Sequence, residues 1–320
     1  MARSNNFSKF FIKMRYLKVL LVTIITFAIL VFLFYKIDFQ NIQNTFQASN
    51  KYLLGLASFI LLLASPITAY RWKTVLSLLG HEVPFSKAAF VYFANYPISK
   101  IGPAGSGDTI RAFFLKDLLP ASKQLGGILA ERLFDIATLS ILSLLGALIT
   151  RLNYIALISA AIILGIIIFF VAAQKIRIRP DNKWKLILDN FFLFFKSLSD
   201  RPFYFFKIAG LTLFPWLIVL IHIKLSFLAF GVDVPFFSIV SLQPMVVFIS
   251  LIPVTLAGIG AREPAQIVLF SGLASAPAAL AVGLTYSVIV QIMISLICLP
   301  LFFIAWKKIS QNSSFVNKQN

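Results

Sequence analysis

The sequence predicts an all-α integral membrane protein, and both its composition and the placement of its charges indicate this class. Of its 320 residues, 59% are apolar and 12% are charged, whereas a soluble domain averages about 25% charged residues. The mean hydropathy of +0.91 points the same way. So few charges cannot cover a folded surface in water, and the sequence therefore predicts a bilayer as the solvent.

The basic residues, which give a net charge of +18, predict orientation in the membrane and not a nucleic-acid partner. They lie in short runs between the apolar stretches, and the sequence shows no separate basic domain that would neutralise a phosphate backbone. Cytoplasmic loops of membrane proteins collect Lys and Arg in this way. We therefore expect no nucleic-acid partner.

Eight apolar stretches are long enough to be predicted as spans, since a span needs about 20 residues. The first has no charge between Val19 and Tyr35 and follows a basic segment, 1–18. It exceeds the roughly 7–15 apolar residues of a cleavable signal peptide, so we expect a retained span and a cytoplasmic N-terminus. The other seven predicted spans are 52–70, 128–149, 154–173, 208–230, 238–256, 264–282 and 284–305.

This arrangement predicts one polytopic domain, 19–305, followed by a cytoplasmic tail, 306–320. With eight spans and the N-terminus inside, 25 of the 29 Lys and Arg lie on the inner side and three on the outer side, while Lys224 lies within a span. That asymmetry is what the positive-inside rule predicts. We expect a multi-pass protein of the cell membrane with both termini in the cytoplasm.

The basic loop 174–207 contains a segment, 182–206, with apolar residues at helical spacing interrupted by cations. One interpretation is a helix that lies in the cytoplasmic interface with its cations toward anionic headgroups. The alternative is a basic loop without regular structure, because Leu193 and Phe194 interrupt the polar face.

A first break interrupts the apolar pattern at 96–108, between a short piece, 88–95, and a helical pattern, 109–119. Two half-length pieces cannot each cross a bilayer, and non-helical backbone at membrane depth must be buried in protein or face a watery cavity. We therefore predict a re-entrant hairpin that enters from the cytoplasmic side. The second helical piece begins with free backbone N–H groups, which favour an anion such as a lipid phosphate. We expect Arg111 to add hydrogen bonds to that phosphate, with Asp108 holding its guanidinium in place. The alternative is a capping Asp108 paired with Arg111 in an ordinary loop.

A second break at 253–263 has a similar arrangement and precedes Pro264, a natural first-turn residue. Pro97-x4-Gly102 and Pro253-x4-Gly258 are each followed by a glycine, an acid and an arginine. Interrupted apolar segments in corresponding places of two halves indicate a transporter binding site built from internal repeats. The alternative is coincidence, since this proline–glycine spacing is common in membrane proteins. The predicted binding residues of the two breaks are Gly105, Gly107, Asp108, Arg111, Gly258, Gly260, Arg262 and Glu263.

A third constellation, Glu131-Arg132-Leu133-Phe134-Asp135, lies just inside the predicted third span. Each ionisable group in hydrocarbon costs at least about 2.5–3.5 kcal/mol, so these groups must face one another or a cavity. Glu131 and Asp135 share a helix face and would repel, so a cation from Arg132, Arg111 or Arg262, or a coupling proton, must lie between them. Two interpretations stay open: a coupling or gating cluster, and an ion network that fixes helix packing.

Arg71 lies at the inner end of the predicted second span. Its position is typical of an interfacial anchor, and we also count it among the predicted binding residues.

Signatures of catalysis and cofactor binding are weak. The two histidines, His81 and His222, are far apart and have no Cys/His cluster around them, so we predict no metal site. The glycines form neither a nucleophile elbow nor a phosphate-binding P-loop. We therefore expect no cofactor and no catalytic residue.

Four segments in this order resemble the flippase-like transmembrane region of lysylphosphatidylglycerol synthases and of stand-alone integral membrane proteins that share it. The resemblance covers about 15–305 and rests on segments 70–72, 103–111, 131–135 and 258–263. It implies a polytopic protein that moves a lipid between leaflets, with a phospholipid or an isoprenoid-linked lipid as partner.

The resemblance has one departure with a functional consequence. The bifunctional members carry a soluble aminoacyl-transferase domain after this region, whereas this sequence ends at Asn320. We therefore expect a lipid flippase without transferase activity. The alternatives are a membrane enzyme or accessory component of lipid or glycolipid modification, and a scaffold for a separately encoded soluble synthase.

Overall fold

The structure is a computed structural model that describes residues 21–100, 103–115, 118–173, 182–252, 255 and 258–316. The regular elements within these ranges are all helical, which confirms the predicted class. The helices are α1 (Leu21–Ile37), α2 (Phe39–Ala48), α3 (Lys51–Leu62), α4 (Ala64–Leu78), α5 (Phe85–Ser99), a 3₁₀ segment (Pro103–Ile110), α6 (Arg111–Phe114), α7 (Ala121–Thr150), α8 (Asn153–Ala173), α9 (Lys183–Ser199), α10 (Pro202–Ala229), α11 (Phe236–Ser250), α12 (Arg262–Leu269), α13 (Ala276–Ser287), a π-helical turn (Val288–Met293) and α14 (Ile294–Val316).

Local chemistry sets the ends of these helices. The Asn50 and Asn182 side chains accept hydrogen bonds from backbone N–H groups in the first turns of α3 and α9, as N-cap residues do. Pro84, Pro120 and Pro235 directly precede α5, α7 and α11. Because the residues that begin a helix need no N–H partner within it, proline is tolerated there.

The number of spans differs from the expectation of eight. Within the described residues, five continuous helices are long and apolar enough to cross a membrane, and the pair α1–α2, bent by 80°, makes a sixth if it is one span. The five are Lys51–Leu78, Ala121–Thr150, Asn153–Ala172, Pro202–Ala229 and Ala276–Lys307.

The difference comes from the last three predicted spans. The stretch 238–256 overlaps the 15-residue helix α11, which is too short to count as a span, and 264–282 and 284–305 are not two spans. Instead, α12 ends at Leu269, and one helix runs from Ala276 past Gly283 to Lys307. Pro277 favours a helix start at this point, whereas hydropathy alone does not locate a turn within a continuous apolar run.

Two helical hairpins are folded around the predicted breaks. Hairpin 1 consists of α5, the 3₁₀ segment and α6 (85–114), and α5 contacts both of the others. Pro97 does not break α5, which continues to Ser99. Hairpin 2 consists of α11 and α12 (236–269), which also contact each other. Gly102 and Pro253 lie outside the described residues, so the structure does not compare the two proline–glycine motifs directly.

The first half of the chain (21–150) and the second half (153–316) have corresponding elements and corresponding contacts. Each half has a first long helix (α1 or α8), a shorter helix (α2 or α9), a second long helix (α3–α4 or α10), a hairpin, and a third long helix (α7 or α13–α14). Hairpin 1 packs through α5 against α14 of the second half, and hairpin 2 packs through α11 against α7 of the first half. In the same way α2 packs on α13 while α9 packs on α7, and α4 contacts α10. This exchanged packing is what two repeats related by a pseudo-two-fold axis would produce.

The segment 182–206 is helical at α9, as one of the two interpretations predicts. Phe191, Phe194 and Leu198 of this helix are buried in the core around hairpin 1, whereas Trp184 and Leu188 are exposed. A second hydrophobic core surrounds hairpin 2. Each hairpin thus packs against a hydrophobic core.

Candidate functional site

Arg71 of α4 lies between the two carboxylates of α7. Its Nη1 is 2.7 Å from Asp135 Oδ1, and its Nε is 3.3 Å from Glu131 Oε1. Nη1 also donates to Thr212 Oγ1 of α10 at 3.1 Å. The side chain is buried. The cation expected between Glu131 and Asp135 is therefore Arg71, and not one of the three arginines proposed from the sequence, because α4 brings it directly opposite α7.

Arg111 and Asp108 do not pair with each other, contrary to the expectation. Arg111 forms an ion pair with Glu131, and its guanidinium lies 4.1 Å from the centroid of the Trp72 ring. Asp108 instead pairs with Arg132, which is also 3.4 Å from Asp135. Adjacent residues of a helix point about 100° apart, so Glu131 and Arg132 of α7 reach different charges on hairpin 1.

Two further cations of the site form no direct ion pair with a carboxylate of a described residue. Three arginines (Arg71, Arg111, Arg132) face three acids (Asp108, Glu131, Asp135) in these pairs. By contrast, no carboxylate oxygen of a described residue lies within 4.0 Å of Lys100 or Arg262. Lys100 Nζ lies 4.8 Å from the Tyr96 ring centroid, and the Arg262 guanidinium lies 4.7 Å from that of Tyr286.

Glu263 balances part of this charge through a bridging hydroxyl. Arg262 Nη1 donates to Ser287 Oγ at 3.0 Å, and Ser287 Oγ donates to Glu263 Oε1 at 2.8 Å. The backbone N–H of Gly260 donates to Glu263 Oε2 at 2.6 Å. Five cations therefore face four carboxylates, and the site carries an excess of one positive charge when all groups are ionised.

A cavity of about 150 Å³, called the first cavity, lies beside the charged groups of hairpin 1, α4 and α7 and is lined by residues from both halves of the chain. Arg262 is not part of the lining, but the Tyr286 ring that it contacts is. Buried water occupies about 30 Å³ per molecule, so the space is large enough for several waters or for a phosphate-sized group. The π-helical turn after α13 places Val290 on its wall, and such turns are frequent at functional sites. Its polar and aromatic lining residues include Arg71, Tyr92, Tyr96, Lys100, Asp108, Arg111, Arg132, Asp135, Trp216 and Tyr286.

The predicted glycines have steric and conformational roles. A Cβ at Gly107 would collide with the backbone of Ile98 and Ser99, so this glycine allows hairpin 1 to close. Gly258 and Gly260 adopt φ values of +82° and +85°, which L side chains rarely adopt. Gly105 lies in the 3₁₀ segment.

Several residues of the site escaped the sequence analysis. Tyr96, Trp216 and Tyr286 line the first cavity, and Trp216 Nε1 donates to Asp135 Oδ1 at 3.1 Å. Lys100 lies in the first break, where the sequence pattern alone indicates no role for it. A signal for Lys100 was present, because Tyr96 and Lys100 stand four residues apart, although an aromatic residue before a cation is also common at membrane interfaces.

The fold and the site define a polytopic membrane protein with two helical hairpins and a charged cavity that is lined by hairpin 1 and by long helices of both halves. A family model described as the lysylphosphatidylglycerol synthase TM region matches residues 17–298. The chain belongs to this family.

One relative is a UPF0104 membrane protein, MJ1595, of Methanocaldococcus jannaschii. It is 26% identical over 129 residues, which are 39% of this chain and 38% of that protein. The similarity thus spans well under half of the relative's length and supports the existence of stand-alone membrane proteins of this kind.

Proposed function

We propose that this protein moves a membrane lipid with an anionic, phosphate-bearing headgroup between the two leaflets. The observation that carries the proposal is the excess positive charge at the hairpin tips, where Lys100 and Arg262 have no described carboxylate within 4.0 Å. An anion is the ligand that such a buried excess favours, since charge-assisted hydrogen bonds to phosphate are about twice as strong as neutral ones. Membership of the synthase transmembrane-region family supports a lipid as the source of that anion.

The exchanged packing of the two halves suggests how the headgroup crosses. Counted with α1 as a span, each half contributes three crossings, so the second half starts from the opposite side of the membrane. Hairpin 1 and hairpin 2 then enter from opposite faces, the arrangement of inverted-repeat transporters. Hairpin 1 lines the first cavity, and Arg262 of hairpin 2 contacts Tyr286, which forms part of the cavity wall. Rocking of one half against the other would expose Lys100 and Arg262 in turn to each leaflet.

In this mechanism the arginine–carboxylate pairs hold the walls of the first cavity. Arg71, Arg111 and Arg132 join hairpin 1, α4 and α7 through Glu131, Asp135 and Asp108. Arg111 faces the cavity, but its charge is already balanced by Glu131. The headgroup contact proposed from the sequence for Arg111 therefore passes mainly to Lys100 and Arg262.

Reconstituted vesicles test the proposal. The wild-type protein is placed in phosphatidylcholine vesicles with an acyl-labelled fluorescent phosphatidylglycerol, and dithionite quenching reports its exchange between leaflets. Lys100→Gln and Arg262→Gln each remove one charge-assisted contact worth about 1.5–3 kcal/mol, so we expect exchange to slow by roughly tenfold or more. Lys123→Gln, an exposed lysine of α7, is the matched control and should exchange at the wild-type rate.

Two results would overturn the proposal. One is equal exchange in the wild type and in the double variant Lys100→Gln/Arg262→Gln. The other is wild-type exchange of labelled phosphatidylcholine as fast as that of phosphatidylglycerol. A zwitterionic headgroup carries no net charge and so cannot neutralise the excess positive charge of the site.

A further inference from the structure

A second cavity of about 410 Å³ opens where α4 ends and α10 begins. Its walls are formed by Tyr70, Lys73, Thr74 and Ser77 of α4 and by Tyr204 and Lys207 of α10. The four α4 residues recur at helical spacing and so share one face. None of these six lines the first cavity.

Two lysines converge in the second cavity on a single aromatic ring. Lys73 Nζ lies 5.6 Å and Lys207 Nζ lies 5.1 Å from the centroid of the Tyr70 ring. Within the described residues, no carboxylate oxygen lies within 4.0 Å of either ammonium, although Glu82 lines the same cavity. Both lysines are half-buried. Two cations that share one ring repel each other, and an anion between them would remove that repulsion.

The second cavity and the first cavity both lie along the contact between α4 and α10. Arg71 and Thr212, which are hydrogen-bonded, join α4 to α10 between the two. The first cavity continues beyond this contact at Trp216. Lys207 and Trp216 are nine residues apart on α10, which corresponds to roughly 14 Å along the helix. The neighbours Tyr70 and Arg71 thus line different cavities on either side of this contact.

We propose that the second cavity binds a phosphate ester, held between the ammonium groups of Lys73 and Lys207 above the Tyr70 ring. Phosphate suits the site because the two lysines supply six N–H donors, and a phosphate monoester offers three non-bridging acceptor oxygens, a diester two. The ester is either the headgroup of an anionic lipid or a soluble phosphate compound. This site stands independently of the transport proposed for the first cavity.

Chemical protection of the lysines tests the inference in the full chain. The protein is placed in phosphatidylcholine nanodiscs and treated with an amine-acetylating reagent, and mass spectrometry follows each lysine. Phosphatidylglycerol in the nanodisc, or soluble glycerol 3-phosphate in the buffer, should slow the acetylation of Lys73 and Lys207 several-fold. Lys123, exposed on α7, reports any general effect of the added charge and should not change relative to the phosphatidylcholine reference.

The two additions distinguish the source of the phosphate. Protection by phosphatidylglycerol alone assigns a lipid headgroup, and protection by glycerol 3-phosphate alone assigns a soluble compound. Because both lysines hold one anion, Lys73→Gln should abolish the protection of Lys207. Absence of protection in both arms, or undiminished protection of Lys207 in the Lys73→Gln variant, overturns the inference. Neither outcome affects the lipid exchange measured for Lys100→Gln. The proposed phosphate site and the proposed transport can therefore be refuted independently of each other.

Discussion

Glu131 supplies the carboxylate that forms ion pairs with two buried guanidinium groups. Its carboxylate is 1% exposed and meets both Arg71 and Arg111. The sequence correctly grouped Glu131 with Asp135 and required a cation between them. It could not identify Arg71 as that cation, because Arg71 lies 64 residues from Asp135 in the chain.

We predict that Glu131→Gln strongly destabilises the protein. The change leaves two buried cations short of one negative charge, and breaking a buried pair in this way costs about 3–5 kcal/mol. The melting temperature of the detergent-solubilised variant should fall well below that of the wild type. Glu82→Gln is the matched control, since Glu82 is exposed and forms no ion pair among the described residues. Equal melting temperatures for the two variants would contradict the prediction.

At the scale of elements, close contact between helices depends on small residues. A Cβ at Gly146 of α7 would lie 2.6 Å from the backbone nitrogen of Ser241 in α11. Ser143, one turn earlier, donates to the Ser241 carbonyl at 2.7 Å. Membrane helices pack closely at such small residues, and this contact fixes hairpin 2 against the first half.

We predict opposite effects for two Gly→Ala changes in neighbouring helices. Gly146→Ala should force α7 and α11 apart, at a cost of about 1–3 kcal/mol for overpacking. Gly165→Ala in α8, where an added Cβ meets no atom within 4 Å, should be neutral or stabilise by up to about 1 kcal/mol. Thermal unfolding of both variants in the same detergent checks this. A Gly146→Ala variant as stable as the Gly165→Ala variant would show that the contact is not tight.

The hairpins were predicted at the level of elements, but their details were not. Prolines and glycines correctly located the first break, although α5 extends through Pro97 to Ser99. A proline near the end of a helix loses one hydrogen bond, and packing against α14 and the 3₁₀ segment keeps α5 helical there. The predicted second half of hairpin 1, 109–119, contains the short helix α6, which ends at Phe114.

At the scale of the whole molecule, the six-span arrangement with exchanged packing differs from eight successive spans. The two arrangements place the loop after α12 differently. In the eight-span expectation, Ser271 lies within the span 264–282. In the structure it is an exposed residue between α12 and α13. With six spans, this loop lies on the face opposite the junction of α9 and α10.

We predict that Ser271→Cys and Ser199→Cys react with a membrane-impermeant maleimide from opposite sides of the membrane. Both changes are made in a Cys298→Ser background, since Cys298 is the only cysteine. Intact cells should label one position and inverted vesicles the other. Failure of Ser271→Cys to react from either side would favour a span across 264–282 and contradict the hairpin.

The sequence by itself determined the membrane class, the concentration of basic residues in the loops expected on one side, and the charges that lie at membrane depth. These properties depend on hydropathy and on residues close together in the chain. Only the tertiary structure decided that Arg71 separates the α7 carboxylates, that Asp108 pairs with Arg132, and that Arg262 reaches Glu263 only through the Ser287 hydroxyl. These contacts join different helices, across as many as 141 residues between Arg71 and Thr212, and so no local pattern encodes them.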